Sequence, residues 1–251
     1  MCTVTFLPTP NDGYILTSSR DEKTSRPAAL SPQKYIVHAE QLFFPKDQLA
    51  GGTWVLTSMN NFTLCLLNGA FEKHDSKPPY KMSRGLVLLD FFKFNNVQKF
   101  VSEYDFEHIE NFTLIIVDSN KGLNLFELRW DGSNLHTKKM PSNEPHIWSS
   151  CTLYTPEAII NRVLWFDNFV SKSFEFTKEN AMQFHKDAGD GSLENSVLMN
   201  RDNKVKTVSI TCIDHSNFSY TMDYLNIENM ASSTIRIFKS NEKKSLITEI
   251  I

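Results

Sequence analysis

Met1-Cys2-Thr3-Val4-Thr5-Phe6-Leu7 and Gly13-Tyr14-Ile15-Leu16-Thr17-Ser18 are two runs of strand-forming residues at the start of the chain. The segment between them contains Pro10-Asn11-Asp12-Gly13, a combination that is typical of tight turns. We therefore predict an antiparallel hairpin. Its pairing would bring Cys2 close to the residues that follow Ser18.

Cys2 becomes the first residue if the initiator methionine is removed, and its small side chain favours that removal. A cysteine with a free α-amine can be a complete nucleophile, because the thiolate attacks and the amine, with a pKa of roughly 7.7–8.0, accepts or relays the thiol proton. The competing interpretation is that Cys2 is a small apolar residue that opens a buried strand. A Met-Cys start alone favours this second interpretation.

The residues after the hairpin strengthen the interpretation of Cys2 as a nucleophile. Ser18-Ser19-Arg20-Asp21-Glu22 follows the second run, so Arg20 and Asp21 should lie beside Cys2. A guanidinium there would lower the thiol pKa and could bind an anionic group, while the carboxylate could hold the α-ammonium. An Arg-Asp ion pair that ends a strand explains the spacing equally well.

Four short blocks in the first third of the chain have a distinctive order and spacing: Met1-Cys2-Thr3-Val4-Thr5-Phe6, Ser18-Ser19-Arg20-Asp21-Glu22 with Arg26-Pro27, Ala50-Gly51-Gly52-Thr53-Trp54, and Cys65-Leu66-Leu67-Asn68-Gly69. They resemble blocks of the NRDE family, also called the transport and Golgi organisation protein 2 family. Weaker similarity continues through residues 127–132 and 147–150 to about Phe166. The family is in turn similar to N-terminal nucleophile hydrolases of the choloylglycine hydrolase and penicillin V acylase type.

The resemblance implies roles for individual residues. Cys2 would attack an amide, Arg20 and Asp21 would support it, and Asn68 would donate to the oxyanion, an interaction whose loss typically costs about 10²–10³ in rate. This sequence departs from the pattern in three places: Ser19 replaces the asparagine of the family name, the second oxyanion asparagine would fall in the Ser149-Ser150 segment, and Lys206 is the nearest counterpart of a late arginine. Ser150 is accordingly assigned to substrate binding.

Trp54, next to Gly51-Gly52, is expected to pack against the first hairpin and to shape a substrate pocket, although an ordinary core tryptophan would look the same. The seven histidines show no ligand-pair spacing, so no metal and no cofactor are expected. His215 is predicted to be exposed on a turn between two late strands, the alternative being that folding brings it to a site.

The composition limits the class of protein. With 251 residues, 41% of them hydrophobic, we expect a single domain over 1–251, with a mobile tail at about 239–251. A net charge of −3 and a pI near 6.2 argue against nucleic-acid binding. Four widely spaced cysteines, no secretory signal and no long apolar run predict a cytoplasmic protein with reduced thiols and no membrane span. The oligomeric state is not predicted.

The pattern along the chain runs from strands to helices and back to strands. Strands are predicted at 53–58, 62–68, 112–117, 123–130, 207–213 and 218–224, and helices at 83–92, from 95 or 96 to 104, 156–170 and 177–188. The residues between Glu22 and Ala50 are predicted to form a long loop that wraps the site. This order, like the resemblance, indicates an α+β fold, a four-layer αββα sandwich of two antiparallel sheets flanked by helices.

Three functions stay open from the sequence. The first is a cysteine amidohydrolase that cleaves a linear C–N bond of an acylated small molecule. The second is a binding protein that holds a lipid-like or haem-like ligand in the same pocket, which the serines at 19 and 150 favour somewhat. The third is a role in secretion and Golgi organisation, as the family name implies.

Overall fold

Two antiparallel sheets make up the centre of the protein. The computed structural model describes residues 3–216 and 219–237. In the described residues, the strands of the first sheet are β1 (Thr3–Thr9), β2 (Gly13–Lys23), β10 (His146–Ser149), β11 (Asn200–Arg201), β12 (Val205–His215), β13 (Tyr220–Asn226) and β14 (Ser232–Arg236). Their order across the sheet is β10-β1-β2-β12-β13-β14, with β11 beside β12. The second sheet follows chain order and consists of β3 (Leu30–Val37), β4 (Glu40–Lys46), β5 (Val55–Ser58), β6 (Phe62–Asn68), β7 (Phe112–Asp118), β8 (Asn124–Trp130) and β9 (Leu135–Met140).

The helices cover the outer faces of the two sheets. They are α1 (Arg84–Asp90), α2 (Val97–Glu103), α3 (Pro156–Lys172) and α4 (Lys178–Asp187), with a 3-10 turn at Phe91–Lys93. Side chains of β6 and β7 pack with those of α1 and α2, and Leu7, Ile15 and Cys212 of the first sheet pack against α3 and α4. A third cluster, which contains Phe6, Trp54 and Ile115, lies between the sheets. The predicted four-layer α+β sandwich is therefore confirmed.

The opening hairpin forms as the sequence predicts. Thr3 pairs with Ser19 at one end and Thr9 with Gly13 at the other. Asn11 and Asp12 have φ values of 60° and 57°, a left-handed conformation that their short polar side chains tolerate. This hairpin occupies the middle of the first sheet, because β10 pairs with β1 and β12 with β2.

The predicted helix starts are confirmed where a side chain caps the helix. Asn96, Thr155 and Thr177 each accept a backbone N–H from the first turn of α2, α3 and α4. The apolar spacing in α3 predicts a buried face made of Ile159, Ile160, Val163, Leu164, Phe166 and Phe169, and this prediction is partly wrong. Ala158, Arg162 and Phe166 are its buried residues, whereas Ile160 and Leu164 are each 58% exposed.

Three further predictions need correction or fall outside the described residues. The region from Glu22 to Ala50 is not a long loop, because it contains β3 and β4. His215 is not exposed, since it ends β12 with its ring 5.1 Å from that of Tyr14 and 4.4 Å from that of Tyr220. The predicted tail at about 239–251 lies outside the described residues.

No helix in the described part of the chain has the length and apolar character needed to cross a membrane.

Candidate functional site

The first described residue of the candidate site is Thr3, at the start of β1. It is buried and pairs with Ser19 on one side and Ser149 on the other. Cys2, the predicted nucleophile, lies outside the described residues. Thr3 marks the end of the ladder where Arg20 and Asp21 follow directly after Ser19.

Arg20 lies on the side of β2 that faces the second sheet and is 3% exposed. Its guanidinium lies 4.3 Å from the centre of the Trp54 ring and donates to Asp47 at 2.5 Å. Burial lowers the pKa of Arg20, and the charges of Asp47 and Glu22 oppose that shift. An arginine keeps its charge despite such a shift, so Arg20 is a cation held by its contacts at the junction of the two sheets.

Asp47, which the sequence analysis missed, holds this arrangement together. Besides Arg20 it accepts from Arg26 at 2.8 and 3.1 Å and from the backbone N–H groups of Leu49 and Ala50. Burial acts to raise the pKa of Asp47, but the hydrogen bonds from Arg26 and Ala50 and the charge of Arg20 outweigh it, so the pKa lies below its usual value. Two arginines and the turn after β4 thus share one carboxylate.

Asp21 lies on the opposite face of β2 from Arg20, as the alternation of a strand requires. Its carboxylate is buried and accepts hydrogen bonds from the hydroxyls of Thr207, at 2.6 Å, and Tyr154. Thr207 is the cross-strand partner of Asp21, and the register of β12 shifts between Thr207 and Ser209. A bulge in β12 therefore lies directly beside the Arg20-Asp21 pair.

Ser19 also faces the helical layer rather than the inter-sheet face. Its hydroxyl is hydrogen-bonded to Nδ1 of His185 at 2.7 Å, and the other ring nitrogen contacts the hydroxyl of Thr5 at 2.9 Å. His185 is fully buried, and burial lowers its pKa to about 3. The imidazole is therefore neutral at physiological pH and ties α4 to β1 and β2.

Asn68 ends β6, and Ser150 fixes its backbone. The Ser150 hydroxyl donates to the Asn68 carbonyl at 2.8 Å, and Ser150 is 1% exposed. The Oδ1 atom of Asn68 is buried and has no hydrogen-bond partner among the described residues. The Ser150 proton is thus used within the protein, whereas the Asn68 side-chain amide still has capacity to bind a ligand.

A cavity of about 570 Å³ brings three of the predicted site residues together. Arg20, Trp54 and Asn68 line it, and Trp54 is 1% exposed, with its indole nitrogen also unpartnered among the described residues. The opposite wall comes from α1 and the turn before β7, where Arg84 contacts Glu110 at 3.0 Å. Asp21 and Ser150 do not contribute to the described lining.

The functional candidates that sequence reasoning missed gave weak signals. Asp47 precedes the Ala50–Trp54 block by three residues, and Tyr154 and Thr207 are single polar residues in otherwise ordinary segments. Only the folded topology shows that they converge on Arg20 and Asp21.

Comparisons with known proteins agree with this architecture. A search of curated proteins finds no match. Among solved structures, a mutant of the conjugated bile acid hydrolase from Clostridium perfringens superposes with a TM-score of 0.59 at 10% identity, covering 96% of this chain and 93% of the hydrolase. Penicillin V acylase from Agrobacterium tumefaciens gives a TM-score of 0.56 at 11% identity, covering 94% and 86%.

At these identities the likeness is one of fold, the N-terminal nucleophile hydrolase fold. The family is identified by a separate comparison. The family model described as Transport and Golgi organisation 2 matches residues 1–220. The chain therefore belongs to the Transport and Golgi organisation 2 family.

Proposed function

We propose that the protein is a cysteine amidohydrolase that cleaves the linear C–N bond of a small, polar acyl amide. Cys2, freed by removal of Met1, is the nucleophile. Arg20 and Asp21 support it, Asn68 donates to the oxyanion, and Trp54 forms the wall of the substrate pocket. Ser150 contributes to substrate binding indirectly, by holding the backbone of Asn68.

The reaction follows from the chemistry of an N-terminal cysteine. The sulfur attacks the amide carbonyl while the α-amine takes the thiol proton, and the carbonyl oxygen gains the negative charge that Asn68 stabilises. Collapse of this intermediate breaks the C–N bond, and the departing nitrogen takes the proton from the α-ammonium. Water then hydrolyses the thioester, which releases the acid and restores the thiol.

The observation that carries the proposal is the cavity of about 570 Å³ that Arg20, Trp54 and Asn68 share. Asn68 and Trp54 each present a buried polar atom without a partner among the described residues, and unpaired buried groups are costly unless a ligand satisfies them. The unpartnered atom of Asn68 is the acceptor Oδ1 and that of Trp54 is the donor Nε1, so the N–H and the C=O of a substrate amide can satisfy both. The donation to the oxyanion proposed for Asn68 comes from the other atom of its side-chain amide, Nδ2.

The charges of the cavity favour a polar substrate over the alternatives. Its wall contains the cations Arg20, Lys23, Arg26 and Arg84 and the carboxylates Glu22, Asp47 and Glu110. A lipid tail or a haem macrocycle would leave these groups desolvated without new partners. A lipid-like or haem-like ligand, and a role in secretion or Golgi organisation, are therefore the less favoured functions.

The test uses protein in which Cys2 is the first residue, produced by cleaving an N-terminal fusion at a site that leaves cysteine. This chain is incubated with a panel of acyl amides, and the released amines are quantified. We expect turnover of at least one polar acyl amide, a trapped thioester at Cys2 by intact mass, and no turnover by Cys2→Ser. Asn68→Ala should lower kcat/KM by about 10²–10³.

A matched control is Asn124→Ala. Asn124 pairs with Asp118 at the opposite end of β7 from the Phe112–Asn68 pair, so its loss should leave turnover unchanged. Equal turnover by Cys2→Ser and the unmodified chain would refute the proposal. So would retention of Met1 on every molecule of the protein when it is expressed from its natural start codon.

A further inference from the structure

Arg162, on α3, is a fully buried cation close to the start of the chain. All of its described hydrogen-bond acceptors are neutral: the Thr3 hydroxyl at 3.2 Å and the carbonyls of Asn195 and Ser196 at 3.2 and 2.7 Å. A buried charge is costly unless another charge lies near. The position of Arg162 therefore requires an explanation. Its contact with Thr3, the residue bonded to Cys2, indicates a role at the start of the chain.

Tyr154 connects Arg162 to a carboxylate. The guanidinium carbon of Arg162 lies 3.4 Å from the centre of the Tyr154 ring, and the Tyr154 hydroxyl donates to Asp21. A cation on the ring face makes the phenol a stronger hydrogen-bond donor. Arg162, Tyr154 and Asp21 thus form a continuous buried array, which we call the Arg162 array. At one end Arg162 donates to Thr3, and at the other end Tyr154 donates to Asp21.

We propose that Arg162 and Tyr154 are positioning residues for the N-terminal cysteine. Tyr154 holds the Asp21 carboxylate, which the proposed function assigns to the α-amine, and Arg162 places a permanent positive charge on Thr3, the residue bonded to Cys2. The inference rests on the proposed function, in which the α-amine must be neutral to accept the thiol proton.

The sign of the effect follows from charge alone. A nearby cation disfavours the ammonium form of the amine and favours the thiolate, so it lowers the pKa of both groups. Besides the array itself, Arg201 of β11 lies 5.6 Å from the Tyr154 ring, and His185 of α4 contacts Thr5 and Ser19 on the same face of the sheet. Arg20 and its partner Asp47 lie on the opposite face of β2. His185 contributes no charge change above about pH 5, because burial lowers its pKa to about 3.

The experiment measures the rate of iodoacetamide labelling at Cys2 as a function of pH, by peptide mass, in chains that begin with Cys2. Arg162→Gln should move the midpoint of the profile upward by about one pH unit. Arg162→Lys keeps the charge and should return the midpoint to within about 0.3 pH unit of the unmodified chain. Tyr154→Phe removes only the hydroxyl, concentrates the Asp21 charge on the α-ammonium, and should raise the midpoint by a smaller amount.

The matched control is Arg201→Gln. The Arg201 guanidinium lies 5.6 Å from the same Tyr154 ring but donates to the carbonyls of Leu153 and Glu194, so its loss should leave the midpoint unmoved. Circular dichroism and thermal melting identify any variant that fails to fold. If Arg162→Gln does not fold, the midpoint of Tyr154→Phe decides the question.

An unmoved midpoint in a folded Arg162→Gln or Tyr154→Phe chain overturns the inference, and so does an Arg162→Lys chain that shifts as far as Arg162→Gln. The proposed function fails in a different way, namely if the unmodified chain labels as expected but hydrolyses no acyl amide. The two failures are therefore distinguishable in the same preparation.

Discussion

Replacing Asp47 with asparagine should destabilise the protein strongly, because it leaves Arg20 buried without its main counter-charge. Arg20 is 3% exposed, and its remaining described carboxylate partner is Glu22 at 3.7 Å. Removing one partner of a buried ion pair costs about 3–5 kcal/mol. We expect the low end, about 3 kcal/mol, because asparagine keeps one acceptor oxygen and Arg26 can turn toward water. For a chain of this length that corresponds to a Tm lower by about 6–12 °C.

The pH dependence of this effect has a defined sign. The folded-state pKa of Asp47 is lowered, so its stabilisation is complete above the unfolded value of about 3.9 and is lost as pH falls through the folded pKa. The difference in unfolding free energy between the unmodified chain and Asp47→Asn should therefore shrink below about pH 4. Urea denaturation at a series of pH values measures both quantities.

Asp105→Asn is the matched control for Asp47→Asn. Asp105 makes an ion pair of similar length, 2.6 Å to Lys81, but its side chain is 63% exposed. Exposed ion pairs contribute little to stability, so the Tm of this variant should equal that of the unmodified chain. If Asp47→Asn melts within about 1 °C of Asp105→Asn, the argument from the buried charge is refuted.

Two further predictions concern the packing around the candidate site. His185→Phe should cost roughly 1–3 kcal/mol, because it strands the hydroxyls of Thr5 and Ser19. The pKa of His185 is about 3 in the folded protein and about 6.5 in the unfolded chain, so its contribution to the free energy of unfolding is complete above about pH 6.5 and is lost on acidification toward pH 3. The variant should therefore lack a slope of about 1.4 kcal/mol per pH unit in the unfolding free energy. Urea titrations that show the same slope in both chains would contradict this. Gly52→Ala places a Cβ 2.5 Å from the Gly85 carbonyl carbon and should lower the free energy of unfolding by roughly 1–3 kcal/mol. Gly51→Ala meets open space, so it should lower the free energy of unfolding by only about 1–2 kcal/mol, because of its φ of +73°. Thermal melts that rank the two variants in the opposite order would show that the contact between the 51–54 segment and α1 is loose.

The features that the sequence predicted well are local. The hairpin follows from Asn11-Asp12-Gly13 between two strand-forming runs, the start of α2 from the capping residue Asn96, and the start of α3 from Pro156 in its first turn. The two strands between Glu22 and Ala50 were missed because prolines at 27, 32 and 45 suggested a loop. Pro32 is tolerated because β3 is at the edge of its sheet, where a strand can lack a donor.

The features that the sequence could not supply depend on distant contacts. The buried face of α3 includes Arg162, and a helical periodicity of apolar residues cannot indicate a buried cation whose partners lie on β1 and in the 195–196 turn. Asp47 and Tyr154 likewise acquire their importance from residues 27 and 133 positions away in the chain. Spacing drew attention to Arg20 and Asp21, and the family resemblance gave them and Asn68 their roles, whereas the residues that support them required the fold.

The positions of Arg20 and Asp21 on opposite faces of β2 have a consequence for how the protein should lose the activity proposed for it. Arg20 belongs to the core between the sheets, and Asp21 belongs to the layer that contains α3. Hydrogen exchange can resolve whether these two layers open separately, because local unfolding follows packed units. If the helical layer opens first, the support that Asp21 is proposed to give the N-terminus would be lost while the cavity beside Arg20 is still formed, so ligand binding in that cavity would outlast the proposed turnover as denaturant is added.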